Sequence, residues 1–331
     1  MTVEHKNASG PSEDEAGASE TGPELSVVIP VFNEGKELSG LVTEIAAGLG
    51  EIPGLASFEI ILCDDGSSDD TWAVVDALSQ SDSRVEGLSL SRNFGKEMAV
   101  IAGLSAARGR AAVVMDGDGQ HPPGLIPDLV RAWREGADVV EAVKTGRPDQ
   151  SWLVRMAARL FNRSFSTLTG VNLTNATDFR LLARPVIDEL VDMPERSVFF
   201  RGLSTWLGYR REVIEFEPLP RGSGHTRWTL WGLTRFAVRN LISFTSAPLH
   251  LVTAIGLIFA AFAAVLALQT LYNWFAGHAV EGFTTVILLL LVQGSVILVG
   301  LGVIGLYVSE IHKEVKRRPR YVVARRTSGL Q

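Results

Sequence analysis

Asp116-Gly117-Asp118 is the triplet in this chain best suited to chemistry. It follows the apolar run Ala111–Met115, which reads as a buried strand. Two carboxylates two residues apart at the end of such a strand offer hard oxygens. Mg2+ or Mn2+ accepts one or two of these and fills its other positions with water and phosphate oxygens. The chemistry implied is a cation-assisted reaction on a phosphorylated substrate. Taken alone, the pattern fits a turn with two solvated acids better, so the surrounding elements decide.

Those elements alternate. Leu25–Val31, Phe58–Cys63, Val85–Leu90, Ala111–Met115 and Asp138–Val143 read as strands. Helices are expected over Lys36–Leu49, Asp69–Ser79, Gly95–Ala107 and Leu125–Arg134. The alternation predicts a mostly parallel sheet with helices on both faces, where ligands bind at the carboxyl ends of the strands. Further on, Trp152–Leu168 and Val186–Val191 read as helices, and Phe179–Ala183 and Arg211–Phe216 as strands.

Four polar loops, marked by Gly or Pro, fall on that one edge. They are Pro30-Val31-Phe32-Asn33-Glu34, Asp64-Asp65-Gly66-Ser67-Ser68-Asp69, Arg92-Asn93-Phe94-Gly95-Lys96, and Asp116 to Pro123. Packing alone does not explain such a concentration.

Charge is uneven along the 331 residues. Residues 1–24 carry six acids and one Lys, a polar segment expected to be disordered and lacking the pattern of a cleavable signal peptide. Residues 305–331 carry seven basic side chains and two acids. The remaining residues 25–304 sum to −6, the opposite of a nucleic-acid binder's basic body. The single Cys63 excludes a disulfide within the chain and reads as a buried core thiol.

His250–Tyr272 and Phe283–Ser309 contain no Asp, Glu, Lys or Arg. As helices they would run about 34 and 40 Å, against a hydrocarbon core of roughly 30 Å, so both are expected to span a membrane. Arg235 and Arg239 precede the first, and Lys313, Lys316, Arg317, Arg318 and Arg320 follow the second. The loop between them, Asn273–Gly282, has no Lys or Arg, which places both termini and the body of the chain on the cytoplasmic side. The basic tail then reads as an anchor on anionic headgroups, and Trp228–Phe244 as an amphipathic helix at the interface.

With these segments assembled, the chain resembles the family 2 glycosyltransferases of the GT-A fold, and most closely the polyprenyl-phosphate sugar synthases. The resemblance runs from about Leu25 to Val323 and includes Thr177-Asp178-Phe179-Arg180, Pro194-Glu195-Arg196, Phe200-Arg201-Gly202 and the two apolar spans. It implies a catalytic domain over residues 25–227, a juxtamembrane region over 228–247, two spans within 248–310 and a basic tail over 311–331. It further implies that Asp116, Asp118 and Gln120 hold Mg2+ or Mn2+ on the donor diphosphate, and that Asp178 stands where a catalytic base is proposed. Pro30, Asn33, Glu34, Asp64 and Asp65 would lie near the donor nucleotide, while Arg201, Arg221 and Arg227 would meet phosphates. Lys96, Arg180 and Arg196 join the expected substrate-binding set. The implied partners are a nucleotide sugar, a polyprenyl phosphate and a membrane, with a homotetramer as in relatives.

Two departures stand out. The metal loop of the family commonly reads Asp-Ala-Asp-Leu-Gln, whereas Gly117 and Gly119 stand here. Gly-x-Ser-Lys-Tyr is replaced by Gly224-His225-Thr226-Arg227-Trp228, which keeps a hydroxyl and a cation. Two rival functions are weighed. A processive polysaccharide synthase usually carries Gln-x-x-Arg-Trp, and Gly224 occupies the Gln position. A non-catalytic membrane scaffold is disfavoured by the intact Asp116, Asp118, Asp178 and Arg201. The expected reaction is inverting transfer of one sugar, from UDP-glucose first and GDP-mannose next. His121, before Pro122-Pro123, reads as a hydrogen-bonding loop residue. Gly300-Leu301-Gly302-Val303-Ile304-Gly305 reads as small-residue helix packing rather than a dinucleotide fingerprint.

Overall fold

The computed structural model describes residues 22–145, 176–196, 198–217, 247–276 and 283–327. The expected helices Trp152–Leu168 and Trp228–Phe244, together with Arg221 and Arg227, lie outside the described residues.

Eight strands form one sheet: β1 (Leu25–Val31), β2 (Phe58–Asp64), β3 (Val85–Leu90), β4 (Ala111–Val114), β5 (Val139–Lys144), β6 (Ala176–Ala183), β7 (Arg211–Phe216) and β8 (Val323–Arg326). Their order across the sheet is β7-β5-β6-β4-β1-β2-β3-β8. The block β4-β1-β2-β3 is parallel, as the alternation predicts. β6 runs antiparallel between β4 and β5. That reversal brings the start of β6 to the edge where β4 ends, with Val114 opposite Arg180.

β1 and β4 are buried at every position because helices cover both faces, so apart from Ser26, whose hydroxyl bonds Glu59, their sequences are apolar. On one face Leu25, Val27 and Ile29 pack with α1 (Gly35–Gly50), α2 (Thr71–Ser81) and α4 (Ile126–Arg134). On the other, Val28, Ile61 and Cys63 pack with α3 (Lys96–Ala106), α5 (Arg184–Asp192) and α6 (Phe200–Trp206). Cys63 is buried and unpaired, as expected.

The two apolar stretches form α7 (Ala247–Phe275) and α8 (Phe283–Val315), both long and apolar enough to cross a membrane. Hardly any of their residues are buried against the rest of the chain. A Cβ on Gly300 would lie 3.1 Å from Val252, so this glycine lets the two helices approach.

The tail after α8, expected to be a headgroup anchor, adds a strand to the sheet. Val323–Arg326 pairs antiparallel with β3. The Gly87 N–H donates to Thr327 Oγ1 at 2.9 Å, and the Thr327 N–H donates to the Gly87 carbonyl at 2.9 Å. The chain leaving α8 therefore returns to close an exposed sheet edge.

Candidate active site

The site is built where β1, β2, β4 and β6 present their ends to one side. The β1 and β2 loops are joined: the Asn33 N–H donates to Ser67 Oγ at 2.9 Å, and Asn33 Oδ1 accepts the Ser68 N–H at 3.0 Å. Asn33 holds φ 55°, a left-handed conformation that Asn tolerates. The Glu34 N–H donates to Thr71 Oγ1 at 3.0 Å. Pro30, in β1, lies in register with Cys63 of β2.

Asp64 and Asp65 are both buried, and both hold loops. Asp64 accepts the Ser67 N–H at 2.9 Å and the Ser89 hydroxyl at 2.7 Å. Asp65 accepts the Phe94 N–H at 2.7 Å and the Gly95 N–H at 2.9 Å. Gly66 takes φ 68°, and a Cβ there would lie 2.5 Å from the Arg92 backbone, so only glycine lets the second and third loops meet. Asp65 thereby sets the turn that starts α3 and aims Lys96.

Lys96 is the hub. Its ammonium lies 2.6 Å from Asp116 Oδ1 and 2.5 Å from Asp178 Oδ2. Arg201, on α6, grips the same Asp178 through Nε at 2.5 Å and Nη2 at 2.8 Å. Burial would push the Asp178 carboxyl up, but Lys96 and Arg201 overcome it and hold the group well below the usual carboxylate range. Burial likewise opposes the Lys96 charge, while Asp116 and Asp178 raise its pKa above the ordinary lysine value.

The metal loop is braced from behind. His121 is buried, stacks on Phe179 with ring centroids 4.9 Å apart, and accepts the Asp116 N–H on Nδ1 at 3.0 Å. This matches the loop role expected of it, and burial lowers its pKa, which keeps the acceptor nitrogen free of a proton. At Gly117, where the family commonly has Ala, a Cβ would lie 2.6 Å from Glu34 Oε2, the movable end of that side chain. Glu34 therefore nests against the loop, and its pKa is pushed up to about 7, by burial first and then by Asp118 and Asp116.

Three expected site residues are placed differently. Arg180 is fully buried beneath α6, where it bonds Ser204 and donates to the Thr177 carbonyl at 2.6 Å, with Glu141 at 3.6 Å. Full burial on these internal partners differs from the substrate contact expected of it. Gln120 Oε1 accepts from Lys144 Nζ at 3.2 Å, while its Nε2 is buried without a partner. The carbonyl oxygen expected to hold a metal is thus already engaged. Arg196 lies apart from the cluster; its N–H donates to Glu314 Oε1 at 2.9 Å, tying the catalytic body to the last turn of α8.

Glu97 escaped the sequence reading. Its Oε2 accepts the Phe200 N–H at 3.0 Å, which locks α6 against the start of α3 and so fixes Arg201. Its pKa is pushed up to about 7 by burial and then by the Asp178 charge. The available signal was its place beside Lys96 in a Gly-initiated helix.

Among the described residues no three His, Cys, Asp or Glu converge tightly enough to hold a metal unaided. The donor set nonetheless fits a hard dication. Asp116 and Asp118 supply carboxylate oxygens, Glu34 adds a third acid nearby, and the Lys96 ammonium already rests on Asp116 as a cation would. A magnesium-type ion needs only one or two carboxylates when phosphates and water complete its shell.

The chain is similar to several known proteins. Residues 26–191 match the model of glycosyl transferase family 2. An uncharacterised glycosyltransferase of Synechocystis is 38% identical over 306 residues, covering 91% of this chain and 95% of the relative. The prophage bactoprenol glucosyl transferase homolog of Escherichia coli is 35% identical, covering 91% of this chain and 98% of the relative. A solved structure of glucosyl-3-phosphoglycerate synthase from Mycobacterium tuberculosis, in complex with Mn2+, UDP and product, is 20% identical with a TM-score of 0.46, covering 72% of this chain and 86% of that one. By its family match and by relatives aligned over nearly their whole length, the chain belongs to glycosyl transferase family 2 and is a glycosyltransferase.

Proposed function

We propose that the protein transfers a single sugar from a nucleotide-sugar donor to a polyprenyl phosphate at the cytoplasmic face of a membrane, with inversion at the anomeric carbon. UDP-glucose is the favoured donor and GDP-mannose the next. The observation that carries this reading is the convergence of Lys96, Arg201, Asp116 and Asp178 beside Asp118 at the carboxyl ends of the strands. The bactoprenol glucosyl transferases named among the relatives support the lipid acceptor and the hexose. Helices α7 and α8 support the membrane setting.

The acceptor chemistry explains the charge layout. A lipid phosphate oxygen is largely ionised at neutral pH, since the second pKa of a phosphate monoester is about 6. It attacks the anomeric carbon as the bond from that carbon to the nucleoside diphosphate breaks, and the electron pair leaves with the diphosphate. No proton has to be removed from the nucleophile. The difficulty is that two anions must approach, so cationic groups fixed before the reaction are what lowers the barrier. Arg201, its Nε and Nη2 held by Asp178, supplies a fixed guanidinium charge, and Lys96 adds a point charge beside it. Asp178, held far below neutral pKa by these two cations, positions them rather than accepting a proton. Mg2+ or Mn2+ on Asp116 and Asp118 would stabilise charge on the departing diphosphate.

The test is a donor panel. Purified full-length protein in detergent, with undecaprenyl phosphate and Mn2+, is incubated with UDP-glucose, GDP-mannose, UDP-N-acetylglucosamine and no donor. Mass spectrometry should show lipid-linked hexose with UDP-glucose. Absence of any lipid-linked sugar across the panel would overturn the reading.

A further inference from the structure

Lys96 has two partners with different fates. Asp178 is buried and keeps a second cation in Arg201, whereas Asp116 is partly exposed and belongs to the acid pair expected to meet a dication. The ammonium lies 2.6 Å from Asp116 Oδ1, well inside ion-pair distance. That oxygen makes the ion pair without a hydrogen bond of good geometry and keeps lone pairs to offer, so what stands against a dication arriving on it is the repulsion between the two positive charges. The Lys96 side chain is 43% exposed, so its four-carbon stem has room to move. Its backbone does not, because Asp65 fixes the N–H groups of Phe94 and Gly95 just ahead of it.

From this geometry we infer that Lys96 is an internal counter-cation of the metal site: it occupies Asp116 while the site is empty and must withdraw from it when a divalent cation binds. The inference rests on the metal role of Asp116 in the proposed function. Withdrawal leaves the ammonium on Asp178, beside Arg201, where incoming phosphate oxygens need positive charge. The pairing thus has two consequences. It keeps Asp116 and Asp178 from repelling each other before substrate arrives, and it makes bare-metal binding weak, so that cation and nucleotide load together.

The test measures Mn2+ binding without turnover, by electron paramagnetic resonance of free Mn2+ against full-length protein in detergent, with and without UDP. Lys96→Met should bind Mn2+ on the order of 10-fold more tightly than wild type in the absence of UDP. It should also gain less affinity than wild type when UDP is added. Lys96→Gln, which keeps a polar tip without the charge, should follow Lys96→Met. Should both variants fail to fold, amine labelling of the wild type decides: Mn2+ should speed modification of Lys96 while leaving the exposed Lys313 unchanged. Equal Mn2+ affinity in wild type and variants, or labelling of Lys96 indifferent to Mn2+, overturns the inference alone. No Mn2+ binding by any of the proteins, even with UDP, overturns the metal reading and this inference with it.

Discussion

Two buried acid–base clusters sit at opposite ends of the same sheet, and they differ in what they leave undone. At the amino ends of the strands, Glu59 accepts the Ser26 hydroxyl and the Arg108 N–H on Oε1, each at 2.7 Å. Its Oε2 accepts Arg108 Nε at 3.0 Å and Nη2 at 2.7 Å, and Arg108 reaches on to Glu86. One Arg side chain bridges two strands, and both Glu59 oxygens are used inside the protein. At the carboxyl ends, Asp178 is as well buried, but the groups around it come from separate elements: Lys96 from the start of α3, Arg201 from α6 and Asp116 from the loop after β4. Asp118 and Glu34 add negative charge that no described cation matches one for one. An open cleft even lines the structural cluster, at Ser57, Glu59, Glu86 and Arg108. A cleft with ion pairs therefore does not mark the site. Spare bonding capacity does not either, since Glu86 Oε2 is also buried without a partner; what sets the carboxyl-end cluster apart is that its charges converge from several separate loops and helices.

If that contrast is right, substitutions at the two ends should split activity from stability. Asp118→Ala removes a partly exposed acid whose one described bond is from the Gln120 N–H. It should lower turnover by about 10²–10³-fold, with a melting temperature close to wild type in a thermal scan. Asp178→Asn should cost on the order of 10²-fold, because Lys96 and Arg201 lose their common anchor. That loss should be the same from pH 6 to pH 9, since no proton transfer is being removed. A loss that grows along one limb of the pH–rate profile would restore a base role.

At the other end, Glu59→Gln should lower unfolding free energy by about 1–3 kcal/mol and leave turnover per folded molecule unchanged. A loss of activity there, at constant stability, would break the contrast. Glu97→Gln has the smallest effect and the sharpest sign. The folded-state pKa of Glu97 is about 7 against an ordinary value of 4.5. Between these values only the folded chain holds the extra proton, so wild-type stability falls as pH rises through that window. At pH 8 the Gln variant should melt about 2–4 °C above wild type, with no such gain near pH 4.5. Equal differences at both pH values would refute the assignment.

The strands that carry the site were plain in the sequence for a physical reason. β1, β3 and β7 fall where expected to the residue, and β2, β4 and β5 within one residue at each end; for β1, β2 and β4 the reason is a largely apolar run with an abrupt polar end. The acid loop was legible by type and place, whereas Asp178 and Arg201 were picked out only by the resemblance to the family. Arg180 was misplaced because alternation shows that it shares a face with Asp178 but not that α6 covers it. β8 was hidden because Val-Ala-Arg-Arg carries the charge of a tail, and only the unpaired edge of β3, far away in sequence, makes it a strand. The seven-residue α6 is too short to announce itself by periodicity. Glu97 acts through a backbone N–H of residue 200, a contact that no local pattern encodes.

The central claim is that a cation held by Asp116 and Asp118 lets one anion displace another. Its most direct measurement is the rate of UDP-glucose consumption with undecaprenyl phosphate before and after exhaustive chelation. Turnover should fall to background and return on adding Mn2+ or Mg2+; undiminished turnover in the chelated protein would contradict the account.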